Sequence, residues 1–310
     1  MKDNFMRAIL IHLGTNLWFD FDNDPKLDDK IYQKPASKTM RFDLDLFREY
    51  TSKLGEYGIN TIVLDLADGV IYDSHPEIAI EGSLKKEELK AELDRLSALG
   101  ITVIPKLNFS TTHDVWLKDY ARMVSTPTYY SVCRDLINEV CDIFKPKYFH
   151  IGMDEENYQL QEKYDYAVVR QNDLWWHDLN FYVDCIEENG ARACMWSDYA
   201  RHRPDEFVKK CRKSVVQCTW YYFDKFYGEL EEMYEIRVRP FKILDEHGFD
   251  QFPGGSIEYF EDNIINLHDF AKETLSEDRY LGIMQTTWAE MTEPLRERHE
   301  KAAQMLSKIR

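Results

Sequence analysis

Short apolar runs alternate with stretches of helical periodicity along almost all of this 310-residue chain, and few folds accommodate that pattern. Strands are expected at 8–13, 61–66, 102–107, 148–152, 193–196, 215–219 and 282–287, with a weaker pattern at 249–252. Between them, 44–57, 85–99, 131–144, 174–189, 206–211 and 264–275 carry apolar residues at three- and four-residue spacings. Gly58, Gly100 and Gly190 each stand just before the next apolar run, the stop expected where a helix hands over to a strand. Strands that alternate with helices pair in parallel, and eight such units are the count for a closed (β/α)8 TIM barrel. The rival, a doubly wound open sheet, usually carries a glycine-rich phosphate loop after its first strand; neither G-x-G-x-x-G nor G-x-x-x-x-G-K-[ST] occurs. The expectation is one α/β barrel domain over residues 1–310, with 293–310 as its closing helix.

In such a barrel, chemistry collects at the carboxyl ends of the strands. The sharpest candidate is Phe149-His150-Ile151-Gly152-Met153-Asp154-Glu155-Glu156-Asn157, where an apolar run ends in a glycine and adjacent acids. Neighbouring strand residues point to opposite faces, so Asp154 and Glu155 can share a pocket only where the strand stops and turns. Two such acids can divide labour, one ionised and the other donating a proton; the plain alternative is that they cap the next helix. Polar residues after the other strands would face the same side: Asn16 and Trp18, Asp65, Asp68 and Tyr72, Asn108, Thr112 and His113, Trp196 and Asp198, Trp220, Tyr221 and Tyr222, and Trp288 and Glu290. Tryptophan directly after three different strands favours an aromatic-walled pocket for a small ligand. His150 lies inside a strand and reads as a buried hydrogen-bonded group, whereas His113, in a loop, reads equally as a surface residue or a partner of a catalytic carboxylate. Asp65, His113, His150 and Asp154 could in principle hold a metal, but no His-x-His or His-Glu-x-x-His spacing supports it, so neither metal nor cofactor is expected.

Composition narrows the partners. A formal net charge of −17 argues against nucleic acid and against an anionic membrane surface. Six cysteines without a Cys-x-x-Cys spacing read as reduced core thiols, and no signal peptide is evident, so a cytoplasmic location is expected unless a leader has been removed. With 7 Trp and 19 Tyr, the chain is rich in rings on which sugar faces stack, and a carbohydrate substrate is the partner expected.

In order, these motifs resemble glycoside hydrolase family 20, the β-N-acetylhexosaminidases. The family's fourth-strand His-x-Gly-Gly-Asp-Glu is matched by His150, Gly152, Asp154 and Glu155, and its third strand by Gly100-Ile101-Thr102-Val103-Ile104-Pro105 with His113 beyond. Its second strand is similar to 60–69, and its later tryptophans to Trp220 and Trp288-Ala289-Glu290. The departures are Met153 for the second Gly, Leu13-Gly14-Thr15-Asn16 where the family has Arg-Gly, no Tyr-x-Asp around 249–253, and no domain ahead of the barrel, an absence that leaves room for a homodimer. The resemblance implies removal of β-linked N-acetylhexosamine by substrate-assisted retaining catalysis. Glu155 would be the general acid/base and Asp154 would orient the acetamide; Trp196, Trp220 and Trp288 would wall the sugar, and Asp68, Asn108 and Glu290 would meet its hydroxyls. His113, His150, Asp198 and Tyr221 complete the expected binding set. Two alternatives stay open: a retaining glycosidase on plain sugars with Glu290 or Asp198 as nucleophile, and a sugar-binding barrel without catalysis.

Overall fold

A computed structural model describes residues 5–14, 36–162 and 164–309; Asn16 and Trp18 lie outside them. Eight parallel strands alternate with helices: β1 (Met6–His12), α1 (Leu44–Ser52), β2 (Thr61–Asp65), α2 (Lys86–Ala98), β3 (Thr102–Lys106), α3 (Pro127–Phe144), β4 (Tyr148–His150), α4 (Asn172–Glu188). The second half continues with β5 (Arg192–Trp196), α5 (Pro204–Lys210), β6 (Val216–Cys218), α6 (Glu232–Glu246), β7 (Gly254–Ser256), α7 (Asn263–Thr274), β8 (Gly282–Thr286) and α8 (Arg296–Leu306). The strands run in the order β6-β5-β4-β3-β2-β1-β8-β7, and bridges from Gln217 to Gln251 and from Trp220 to Gly254 join β6 to β7. The sheet therefore closes on itself, as a (β/α)8 barrel.

The two-residue period of each strand sorts side chains into two cores. Met6, Ala8, Leu10, Val63, Ile104, Tyr148, Cys194, Trp196, Val216, Cys218 and Met284 fill the barrel interior. The intervening Ile9, Ile11, Ile62, Leu64, Phe149, Ala193 and Ile283 pack outward under the helices. The strands are buried on both faces, which is why they read as unbroken apolar runs. Near the carboxyl ends the inward positions turn polar. His12 pairs with Asp65, Asp65 with Lys106 and Lys106 with His150 across four successive strands. The Lys106 ammonium is fully buried and lies 2.5 Å from Asp65 Oδ2, with His12 Nδ1 at 3.2 Å. Burial pushes the Asp65 carboxyl up, but Lys106 and His12 outweigh it and hold Asp65 well below the usual carboxylate range. This charged layer is the floor on which the site stands.

Two elements differ from expectation. The seventh strand is Gly254–Ser256 rather than 249–252, where Gln251 makes only isolated bridges. Pro253 offers no N–H to a ladder, and two glycines carry no apolar signature, so the pattern fell on the preceding phenylalanines. Helix α6 was hidden by the acidic run 229–232 and by Pro240 within it. All six cysteines are free and buried, and no described helix is long and apolar enough to cross a membrane.

Candidate active site

The β4 end is built by backbone strain. Gly152, Met153 and Glu155 all have positive φ, at 71°, 72° and 57°. At Gly152 a Cβ would meet Asn108 Oδ1 at 1.8 Å, so glycine is required by space as well as by conformation. Met153 and Glu155 adopt that region at a cost of about 1–3 kcal/mol each, a strain typical of functional turns. Ala67 and Trp288, just past β2 and β8, share it. The reversal at 152–155 brings two neighbouring acids together, which a straight strand would have separated.

A scaffold from the β3 end holds them. Asn108 Nδ2 donates to Asp154 Oδ1 at 2.9 Å, and the Ser110 hydroxyl donates to the Asp154 carbonyl. The Thr112 hydroxyl donates to the Glu155 carbonyl at 2.8 Å. Behind the pair stands His113, buried, with Nε2 3.4 Å from both Asp154 Oδ2 and Glu155 Oε2. Burial pulls the His113 pKa down, but the two acids together outweigh it and raise it. Of the two readings of His113, partner of the carboxylates is the one observed. These three side chains are also the described residues that could converge on a cation, with ligand atoms within 4.8 Å of one another. Asp65 and His150 do not join them.

The acid pair opens into a cavity of ≈ 250 Å³ walled by Trp196, Trp220 and Trp288, with Tyr222, Phe223, Arg237, Glu258 and Tyr259 on its remaining sides. Gly254 makes room for Trp196, whose ring lies 3.0 Å from where a Cβ would stand. Trp288 Nε1 donates to the Tyr222 hydroxyl at 3.1 Å, fixing the opposite wall. The Trp196 indole N–H is buried without a hydrogen-bond partner among the described residues, a donor whose desolvation is uncompensated. Burial raises the Tyr222 pKa well above its ordinary value and so keeps the phenol protonated. It also raises that of Glu258, with the Glu155 charge adding to the effect.

Several expected binding residues sit elsewhere, for reasons of parity and pairing. Tyr221 alternates with Trp220 and Tyr222, so it faces the outer core, packs on Phe226 and donates its hydroxyl to the Lys225 carbonyl. His150 is fully buried in the barrel, accepts the Gly152 N–H at 3.0 Å, and is held uncharged by burial and Lys106. Asn108 spends its side chain on Asp154 and the Ser110 N–H, so it braces the acids. Glu290 lies 3.1 Å from Arg41 and does not line the cavity at the acid pair. Asp68 borders a separate hollow beside Thr111 and Trp116. Asp198 accepts from Trp220 Nε1 at 2.9 Å, so it orients a wall of the cavity.

Residues absent from the expected set are Glu258, Tyr259 and Arg237 in the cavity and Arg170 in the adjoining loop, while Tyr222 was expected at the strand ends without a binding role. The buried Arg170 guanidinium binds Glu156, Asp178 at 3.1 Å, the Tyr182 hydroxyl at 2.9 Å and the Phe109 carbonyl at 2.7 Å, and so anchors the loop after β4. A signal for Tyr222 existed: Tyr222-Phe223-Asp224 has the Tyr-x-Asp spacing sought near the seventh strand, one strand earlier than it was sought.

Comparison with known proteins gives the family and the fold. The profile described as Glycosyl hydrolase family 20, catalytic domain, matches residues 108–301. The lacto-N-biosidase of Bifidobacterium bifidum is 22% identical over 180 residues, covering 50% of this chain and 16% of that protein. The solved exo-β-N-acetylglucosaminidase of Vibrio harveyi superposes with a TM-score of 0.65 at 16% identity, covering 98% of this chain and 54% of that one. The β-N-acetylhexosaminidase of Streptomyces coelicolor A3(2) gives 0.67 at 11% identity, covering 98% and 64%. The chain thus spans less than two thirds of each of these proteins, and the structural likeness is one of fold.

Proposed function

The chain belongs to glycosyl hydrolase family 20, and from that premise we propose that it cleaves β-linked N-acetylhexosaminides with the substrate's own acetamide as nucleophile. The observation that carries this reading is the acid pair opening into a small cavity walled by three tryptophans. The cavity suits one sugar with its acetamide turned inward. Asp154, braced by Asn108 and His113, accepts from the acetamide N–H and balances charge on the cyclic intermediate. The acetamide oxygen attacks the anomeric carbon while Glu155 protonates the leaving oxygen; Glu155 then takes a proton from the water that opens the intermediate. Tyr222, a retained donor opposite the acids, bonds the acetamide carbonyl.

A protein nucleophile is less well supported. Glu290 is engaged by Arg41 and Asp198 by Trp220, while Glu258 in the cavity is biased towards its neutral form. One catalytic barrel is supported by all eight strands belonging to one sheet, and six buried free thiols suit a reducing, cytoplasmic setting. The test is a panel of chromogenic β-glycosides: N-acetylglucosaminide, N-acetylgalactosaminide, glucoside and galactoside. Hydrolysis confined to the acetamido pair is expected. Turnover of the plain sugars, with a stable adduct from a 2-fluoro-glycoside, would instead establish a protein nucleophile.

A further inference from the structure

A second hollow, of ≈ 810 Å³, opens on the other side of Glu155 and shares with the tryptophan-walled cavity only Glu155, Trp220 and Arg237. Four arginines, Arg170, Arg201, Arg203 and Arg237, face it against three acids, Glu155, Glu156 and Asp198, and burial pushes the His202 pKa down. In a chain with 56 acidic residues and a net charge of −17, that local reversal needs a reason.

Two of these cations are accounted for. Arg170 pairs with Glu156 and Asp178, although its Nε has no partner among the described residues, and Arg203 bonds Asn172 at 3.0 Å with Glu206 at 3.6 Å. Arg201 and Arg237 are different. The Arg201 side chain is 7% exposed, and its guanidinium stacks 4.1 Å over the Trp220 ring. The nearest carboxylate is Asp198 at 3.9 Å, and Arg201 donates no side-chain hydrogen bond among the described residues. Arg237 donates to the Met233 carbonyl at 2.5 Å, lies 5.8 Å from the centre of the Phe223 ring, and forms no ion pair among the described residues. Its Nε is buried with no partner among them. Burial and the Arg201 charge act against the Arg237 charge, and Asp198 and Glu155 offset them in part. Buried cations are ordinarily paired, and a forked guanidinium matches a carboxylate or sulfate. Here the buried Arg201 and the half-buried Arg237 keep guanidinium donors that no described carboxylate accepts.

We propose that this cleft holds the leaving-group side of the substrate, and that Arg201 and Arg237 grip an anionic group carried by the sugar next to the cleaved bond. The assignment rests on the function proposed above. With the acetamido sugar in the tryptophan-walled cavity, the general acid must stand at the glycosidic oxygen. The space beyond Glu155 then receives the leaving sugar. Trp220, shared by both hollows, gives that sugar a ring edge beside the arginines. The preferred substrate is accordingly an acidic oligosaccharide with a uronate or sulfated sugar in the leaving position.

The test uses three disaccharides that differ at one carbon: N-acetyl-β-glucosaminyl-(1→4)-glucuronate, its (1→4)-glucose counterpart and the 6-sulfoglucose analogue. The kcat/KM for the anionic substrates should exceed that for the neutral one by about tenfold at low salt, the scale of one charge-assisted hydrogen bond. The ratio should shrink as salt screens the charges, and fall towards one in Arg201→Met and in Arg237→Met. The uronate and sulfate arms identify which anion is preferred. A wild-type ratio of one or less, or a ratio untouched in both variants, overturns the proposal. So does cleavage of aryl N-acetylglucosaminide with no cleavage of any of the three, which leaves the proposed function standing. If nothing at all is hydrolysed, the proposed function fails, and calorimetric titration of the same disaccharides into Glu155→Gln protein decides the cleft separately. Equal affinities there overturn it, and about tenfold tighter binding of an anionic member, lost in Glu155→Gln/Arg201→Met, supports it.

Discussion

The two hollows that meet at Glu155 are lined by opposite chemistry. One is small and walled by indole and phenol rings, and three of its side chains are held by hydrogen bonds, Trp288 by Tyr222, Trp220 by Asp198 and Asp154 by Asn108, while the Trp196 N–H has no partner among the described residues. The other is about three times larger, and two of its arginines lack a close carboxylate. Preorganised dipoles suit a site where charge develops during reaction; unmatched fixed charges suit one where charge arrives with the ligand. Under the proposed function, the difference assigns one side of Glu155 to chemistry and the other to selection.

The largest expected effect removes what the two sides share. Glu155→Gln should lower kcat by at least about 10²-fold on every substrate cleaved, measured with an N-acetylglucosaminide, the low end of general-acid effects. A fully active Glu155→Gln protein would break the comparison at its centre. Tyr222→Phe acts on the closed side alone. It should cost about tenfold in kcat/KM on acetamido substrates, one hydrogen bond to a developing charge, and leave the preference between anionic and neutral leaving groups in place. A loss of that preference would mean that the two hollows are not separable.

The smallest effect concerns His113. Its folded pKa is raised above the ordinary 6.5. Its contacts with the two acids therefore stabilise the fold fully below about pH 6.5, and that contribution fades as pH rises through the folded pKa. Thermal unfolding followed from pH 6 upward should show wild type losing on the order of 1 kcal/mol, the scale of a charge-assisted contact, whereas His113→Gln should lack that decline. Parallel pH curves for the two proteins would remove His113 from the electrostatics of the acid pair.

Much of this was legible before any coordinates. The eight-unit barrel followed from apolar runs that are continuous because parallel strands are buried on both faces. Asp154, Glu155 and the three tryptophans stood out because each lies at or shortly past the carboxyl end of an apolar run. The errors have local causes. Tyr221 and Tyr222 are adjacent, and only strand parity separates them: counting in twos from Cys218 through Trp220 selects Tyr222. β7 was displaced because Gly254 and Gly255 carry no side-chain pattern, and Arg237 was missed with its helix, whose Pro240 and acidic start break the periodicity.

What the sequence determined by itself is the order of elements and the residue types at each strand end, since both follow from local periodicity and turn chemistry. What only the tertiary structure decided is which of those residues converge. The positive φ values at Gly152, Met153 and Glu155 turn neighbouring acids into one pocket, and the accounting of ion pairs singles out Arg201 and Arg237 among the basic residues of the cleft. Neither is encoded in spacing along the chain. The first depends on Asn108 crowding Gly152 from another strand. The second depends on the partners that folding brings to each charge and, at the cleft, on those it does not.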